Sequence, residues 1–89
     1  MDPDLSGKVA FLTGASGGLG AHFARLLARH GAAVAITARR TDRITALADE
    51  ITAAGGRALA LALDVADAAA IGPALDRAQQ ELGGLDILV

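Results

Sequence analysis

The sequence predicts an α/β fold: a doubly wound parallel sheet of about four strands in the order 3-2-1-4, with helices on both faces. Three observations carry this. Short apolar runs alternate with longer segments of helical spacing in a β-α-β-α-β-α-β rhythm, the pattern of a sheet built from crossover units. The first run, Val9-Ala10-Phe11-Leu12, is continuously apolar rather than alternating, as a strand covered on both faces requires. Between that run and the first helical segment lies the stretch Thr13-Gly14-Ala15-Ser16-Gly17-Gly18-Leu19-Gly20, a strand-to-helix turn rich in glycine.

The first strand is expected over Lys8 to Thr13. A helix patterned by Leu19, Phe23, Leu26 and Leu27 runs from the turn to about His30, where Gly31 stands in the position of a helix-stopping glycine. Ala33-Val34-Ala35-Ile36-Thr37 forms the second strand. Thr41 is placed to cap a second helix, Asp42 puts an acid in its first turn, and Ile44, Leu47, Ala48 and Ile51 make its apolar stripe. Gly55-Gly56 ends it. Alanine and leucine favour helix in Ala58-Leu59-Ala60-Leu61-Ala62-Leu63, but alternation of period two and the place in the series assign it to the third strand. Asp67 to Leu82 reads as a helix with a kink or restart at Pro73, since proline lacks a donor and clashes with the preceding turn. Gly83-Gly84 closes it, and Leu85-Asp86-Ile87-Leu88-Val89 supplies the fourth strand. The crossovers between parallel strands are expected to be right-handed.

Composition narrows the class of protein. At 89 residues the chain makes at most one domain, and its core is thin because 22 residues are alanine and only Phe11 and Phe23 are aromatic. A net charge of −2 gives no basic footprint for nucleic acid and no polybasic membrane patch. With no cysteine there is neither disulfide nor thiolate metal site. The opening Met1-Asp2-Pro3-Asp4 lacks the regions of a signal peptide, and no apolar stretch approaches the roughly 18 residues of a membrane span. A cytoplasmic protein is expected.

Glycine at 14, 18 and 20 lets the backbone turn sharply and brings its amides close to a ligand. The positive end of the following helix, with its unpaired N–H groups, then faces an anion such as a pyrophosphate. Strand, glycine turn and helix in that order are the setting of a dinucleotide site. The spacing Thr-Gly-x-x-x-Gly-x-Gly, with the lead-in Leu5-Ser6-Gly7-Lys8-Val9-Ala10, resembles the short-chain dehydrogenase/reductase family, and its 3-oxoacyl-carrier-protein-reductase-like members in particular. The resemblance implies a Rossmann-type fold over 1–89, as part of a longer NAD(P)-binding domain. It also implies backbone contacts to the cofactor along Gly14, Ala15, Ser16, Gly17, Gly18, Leu19 and Gly20, with the Ser16 hydroxyl near the adenosine ribose. The bland alternative is a tight turn that binds nothing. A P-loop fits poorly because Leu19-Gly20-Ala21 stands where Gly-Lys-Ser/Thr would be needed. A methyltransferase glycine loop would leave Arg39 unexplained.

Two further positions bear on the cofactor. An acid at the end of the second strand selects NAD through the ribose 2′-hydroxyl, whereas an arginine accommodates the 2′-phosphate of NADP. Here Thr37-Ala38 is followed by Arg39 and Arg40, two cations that oppose the dipole of the helix they precede. A local conflict of this kind is expected at functional sites, so NADP is preferred over NAD, with Arg39 as the contact and Arg40 adding to the field. A pair of solvated loop arginines is the alternative. Asp64-Val65 resembles the family's adenine-recognising pair: a carboxylate accepts from the amino group and the next N–H donates to a ring nitrogen. An ordinary polar cap at the entry of the following helix is the competing reading there. His22, His30 and Asp86 lack partners at catalytic spacing and are read as structural.

The resemblance implies hydride transfer between nicotinamide and a carbonyl or alcohol, with a tyrosine as proton donor, a lysine four residues on and a serine polarising the carbonyl. This chain has no tyrosine, and Lys8 is its one lysine. Its fourth strand ends at Val89, before the family's Asn-Asn-Ala-Gly would begin. The chain is therefore expected to be the cofactor-binding part of a longer, homo-oligomeric reductase, inactive by itself and prone to self-association along an apolar strand edge. A non-catalytic nucleotide-binding module and a purely structural unit are the alternatives from other classes. NADPH and NADH titration discriminates them.

Overall fold

The computed structural model describes residues 4–14 and 17–89. The elements follow the expected order: β1 (Val9–Leu12), α1 (Gly18–Arg29), β2 (Ala33–Ala38), α2 (Thr41–Ala53), β3 (Arg57–Ala62), α3 (Ala68–Leu82) and β4 (Ile87–Leu88). The four strands form one sheet in the order β3-β2-β1-β4, and every pairing is parallel.

The two central strands are buried throughout, which explains their unbroken apolar sequence. Alternation along each strand divides the core between the two faces. Ala10, Leu12, Val34 and Ile36 point toward α1 and α2, where they meet Ala24, Ile44, Leu47, Ala48 and Ile51. Val9, Phe11, Ala33 and Ala35 point the other way, toward Ala78 and Leu82 of α3. Phe11 is the largest side chain fully enclosed, and its burial contributes about 1.5–3 kcal/mol. The ambiguous alanine-leucine run is a strand, paired with β2 from Ala33↔Arg57 to Ala38↔Ala62. Its alternation has a packing consequence: Ala58 and Ala60 lie under α2, while Leu59, Leu61 and Leu63 fill the side under α3.

Four local expectations are corrected. Arg40, not Thr41, is the cap of α2: it is extended at φ −97° and ψ 129°, and Thr41 is the first helical residue. α3 continues through Pro73 without a restart. Pro73 lies in the second turn, so the bond it forfeits is to a first-turn carbonyl, and Gly72 and Pro73 both face solvent while Ile71, Ala74 and Leu75 pack inward. β4 is shorter than expected because Asp86 meets β1 through its side chain: Val9 N–H donates to Asp86 Oδ2 at 2.9 Å while Asp86 N–H donates to the Val9 carbonyl at 2.8 Å. Finally, α1 presents alanines to the sheet. Ala24 is buried and Ala21, Leu27 and Ala28 pack beside it, whereas Leu19 (70% exposed) and Phe23 (40% exposed) look outward. Small side chains let α1 approach the sheet closely.

Outside the core, Arg25 on α1 clamps Glu50 on α2, with Nε donating to Oε2 at 2.6 Å and Nη2 to Oε1 at 3.2 Å. That hydrogen-bonded guanidinium holds the Glu50 carboxyl below its usual range. Leu88 and Val89, 69% and 52% exposed, leave β4 as an apolar outer edge.

Candidate functional site

Every strand-to-helix connection lies at one end of a parallel sheet, so the carboxyl ends of β1, β2 and β3 converge. There they enclose a cleft of about 520 Å³ lined by Gly14, Ala38, Arg39, Arg40, Leu63, Asp64 and Val65. Three segments widely separated in sequence thus meet at one place, and each was singled out by sequence alone.

Gly14 enters the cleft from β1 with φ +64°, a conformation that favours glycine. The carbonyl of Leu12, just before it, accepts a hydrogen bond from the buried Thr37 hydroxyl at 2.8 Å. Thr13 ties the same turn to the residue that follows the neighbouring strand β4, its N–H donating to the Val89 carbonyl at 3.0 Å and its hydroxyl to that oxygen at 3.1 Å. Ala15 and Ser16 lie outside the described residues. Gly17 caps α1 in an extended conformation, φ −80° and ψ 162°, with no side-chain hydrogen bond to the helix. Gly18, Leu19 and Gly20 make the first turn of α1 and do not line the cleft.

Among the described residues, a Cβ built on Gly14, Gly17 or Gly18 would meet no atom within 4 Å beyond its own chain neighbours and helix backbone. Gly17 stands at the cap of α1, where glycine is tolerated, but at Gly18 neither backbone conformation nor packing among the described residues calls for glycine, which is a poorer helix former than alanine. The space those hydrogens face is open. A group that approached the backbone closely there, as a pyrophosphate does, fits the observed geometry.

Arg39 and Arg40 follow β2 directly, and both are exposed. Among the described residues neither forms an ion pair, although Asp64 lines the same cleft. The Leu63 N–H donates to the Ala38 carbonyl at 2.9 Å, carrying the β2–β3 pairing one step past β3 and setting Asp64 beside the arginines. Asp64 itself turns the chain into α3: its Oδ1 accepts the Ala66 N–H and its carbonyl the Asp67 N–H, each at 2.9 Å. Asp64 is not the cap of α3, a place that Asp67 takes; it shapes the turn before the helix and lines the cleft. Sequence reasoning missed Ala38 and Leu63 as lining residues; their signal was adjacency to Arg39 and Asp64.

Asp86 serves the sheet by holding Val9, and the carbonyl of His30 at the end of α1 accepts the Leu5 N–H at 2.7 Å. His22 lies on the exposed side of α1 beside Phe23, with the rings 6.2 Å apart. Among the described residues no cluster of three or more His, Cys, Asp or Glu could hold a metal ion, and no helix is long and apolar enough to cross a membrane.

Comparison with known proteins returns a single theme. The family model described as short chain dehydrogenase matches residues 8–89. A fatty acyl-CoA reductase of Mycobacterium tuberculosis is 43% identical over 100% of this chain and 31% of its own length. A dehydrogenase/reductase of Sinorhizobium meliloti superposes with a TM-score of 0.92 at 50% identity, covering 96% of this chain and 34% of that one. A metagenomic short-chain oxidoreductase, solved in complex with NADP, gives a TM-score of 0.88 at 43% identity, covering 94% of this chain and 38% of that one. The chain thus spans about a third of the length of these proteins.

Proposed function

The chain belongs to the short chain dehydrogenase family, and from that premise we propose that it is the NADP(H)-binding part of an oxidoreductase that moves hydride between nicotinamide and a carbonyl or alcohol. The observation that carries the reading is the meeting of Gly14, Arg39, Arg40, Asp64 and Val65 in one cleft at the carboxyl end of the sheet. In this reading the backbone from Gly14 to Gly20 receives the pyrophosphate, with the Ser16 hydroxyl near the adenosine ribose. Arg39 takes the 2′-phosphate and Arg40 adds to the field. Asp64 and the Val65 N–H receive the adenine, the carboxylate retaining Oδ2 as an acceptor beyond its bond to Ala66. Support for NADP over NAD comes from two cations and no acid directly after β2, and from the NADP complex of the metagenomic relative.

The cofactor, when bound, supplies the hydride; proton transfer to a developing alkoxide is a separate task that needs a positioned acid. This chain has no tyrosine, and Lys8 stands before β1, roughly 20 Å of strand away from Gly14. Residues 1–89 therefore bind and orient the dinucleotide, and the acid, its lysine and the substrate pocket belong to a longer, homo-oligomeric enzyme. By itself this chain reduces no carbonyl, and its exposed β4 edge promotes self-association.

Titration of the chain with NADPH and NADH tests this. Binding of NADPH about tenfold or more tighter than NADH is expected, since one charge-assisted phosphate contact accounts for that ratio. Equal affinities would remove the NADP assignment, and no binding of either would remove the nucleotide-binding function altogether.

A further inference from the structure

Among the described residues Thr37 is the one polar residue counted with the core, fully enclosed in a strand that is otherwise Ala, Val and Ile. Valine would fill almost the same volume, suit a strand equally and bring no hydroxyl to desolvate. The hydroxyl has a specific target. It donates at 2.8 Å to the carbonyl of Leu12, the last residue of β1 and the last before the Thr13-Gly14 turn. Thr37 also stands two residues before Arg39 on the strand that delivers both arginines to the cleft. This buried side-chain bond adds to the backbone pairing of β1 with β2, which ends at Leu12↔Ile36, and links the entry of the glycine turn to the strand end carrying the guanidinium. The opposite side of the turn is held by the exposed bonds from Thr13 to Val89.

We infer that Thr37 is a positioning residue for the dinucleotide site: its hydroxyl, through the Leu12 carbonyl, sets the glycine turn at a fixed place relative to Arg39. The inference rests on the dinucleotide-binding reading above, because a fixed spacing matters only if one ligand spans both. A dinucleotide phosphate is such a ligand, with its pyrophosphate on the turn and its 2′-phosphate at the arginine. A loose turn must be ordered on binding, at the expense of affinity.

The test uses Thr37→Val, which removes the hydroxyl and keeps the volume, and Thr37→Ser, which does the reverse. Amide exchange in the ligand-free chain is read at Thr13, whose N–H donates to Val89 beside the cleft, and at Ala33, whose N–H donates to Lys8 at the far end of the same strands. Thr37→Val is expected to speed exchange at Thr13 roughly three- to tenfold, the worth of one neutral hydrogen bond, while Ala33 stays near wild type. NADPH affinity falls by a similar factor, and Thr37→Ser restores both. Unchanged exchange at Thr13, or equal acceleration at Thr13 and Ala33, would overturn the inference, the latter because it reports a global loss of stability. Should Thr37→Val not fold, Thr37→Ser decides: it must retain the wild-type ratio of the two exchange rates, and losing it overturns the role of the hydroxyl. Failure of the underlying functional reading appears separately, as a wild-type chain that binds no NADPH.

Discussion

The two ends of the sheet are built from the same residue types to opposite effect. At the amino end of the strands the turns are closed. A Cβ on Gly31 would lie 2.8 Å from Ser6 Oγ and 3.0 Å from its backbone N, and one on Gly56 would lie 2.8 Å from Ile51 Cγ2. The backbone there is paired across the turns, Leu5 to His30, Ala32 to Leu27, Gly56 to Ile51. Among the described residues at the carboxyl end, Gly14, Gly17 and Gly18 face open space, α1 and α2 start without a side-chain cap, and two arginines stand without a carboxylate partner. At the amino end Gly31 and Gly56 answer to packing within the chain, and Gly7, Gly55 and Gly83, with open space beside them, answer to a positive φ. At the other end glycine leaves room beside the backbone, and the polar groups remain free for something outside the chain. Stability and binding are thereby assigned to different ends of the same strands.

Substitution at the closed end is expected to have the largest effect. Gly31→Ala combines a backbone at φ +104° with a close approach to Ser6, and should lower stability by about 2–4 kcal/mol in urea or thermal melts. Gly18→Ala at the open end reverses the pattern: stability holds or rises by a few tenths of a kcal/mol, while NADPH affinity measured by titration falls about tenfold or more. A Gly18→Ala chain that loses stability and keeps its affinity would erase the distinction between the ends. Arg39→Ala sharpens it within the cleft. NADPH is expected to weaken roughly tenfold while NADH changes by less than about twofold. The melt should stay within about 0.5 kcal/mol, because an exposed cation before a helix start contributes nothing to the fold.

Asp86→Ala returns to the closed end with a smaller effect. Removing the acceptor of the Val9 N–H should cost about 1–2 kcal/mol, with no change in the NADPH-to-NADH ratio. The smallest effect belongs to Glu50. Its carboxyl is held below the usual range by Arg25, so the bond stabilises the fold at pH values above the unfolded carboxylate pKa, and this is lost as pH falls through the folded one. Melts of wild type and Glu50→Gln should therefore differ slightly near neutrality and converge in acid. A difference that grew on acidification would contradict the assignment.

How much of this was legible beforehand varied with the physical origin of each feature. The stripe Ile44, Leu47, Ala48 and Ile51 is buried as its spacing required, because burial of a helix face leaves a period in the sequence. The strand order followed from continuous apolar runs and crossover rhythm. The meeting of Arg39 with Asp64 and Gly14 was legible too, since all three occupy strand ends that topology brings together. Features set by tertiary context were not. α3 continues through Pro73, which falls in the second turn on the solvent side and forfeits one bond, a fact of placement that its identity cannot reveal. The large side chains Leu19 and Phe23 suggested a buried face on α1, but close approach to the sheet favoured Ala24 instead. Arg40 as a helix cap ran against the expected preference for Thr41, because the chain leaves β2 extended until that point. The hydroxyl of Thr37 escaped notice since threonine is an ordinary strand residue.

The division between the two ends is tested most directly by following backbone amides in an NMR titration with NADPH. Shifts are expected at Gly14, Gly17 to Gly20, Arg39, Arg40, Asp64 and Val65, with Gly31, Gly56 and Gly83 unmoved. Shifts confined to the latter three turns, or none at saturating NADPH, would contradict it.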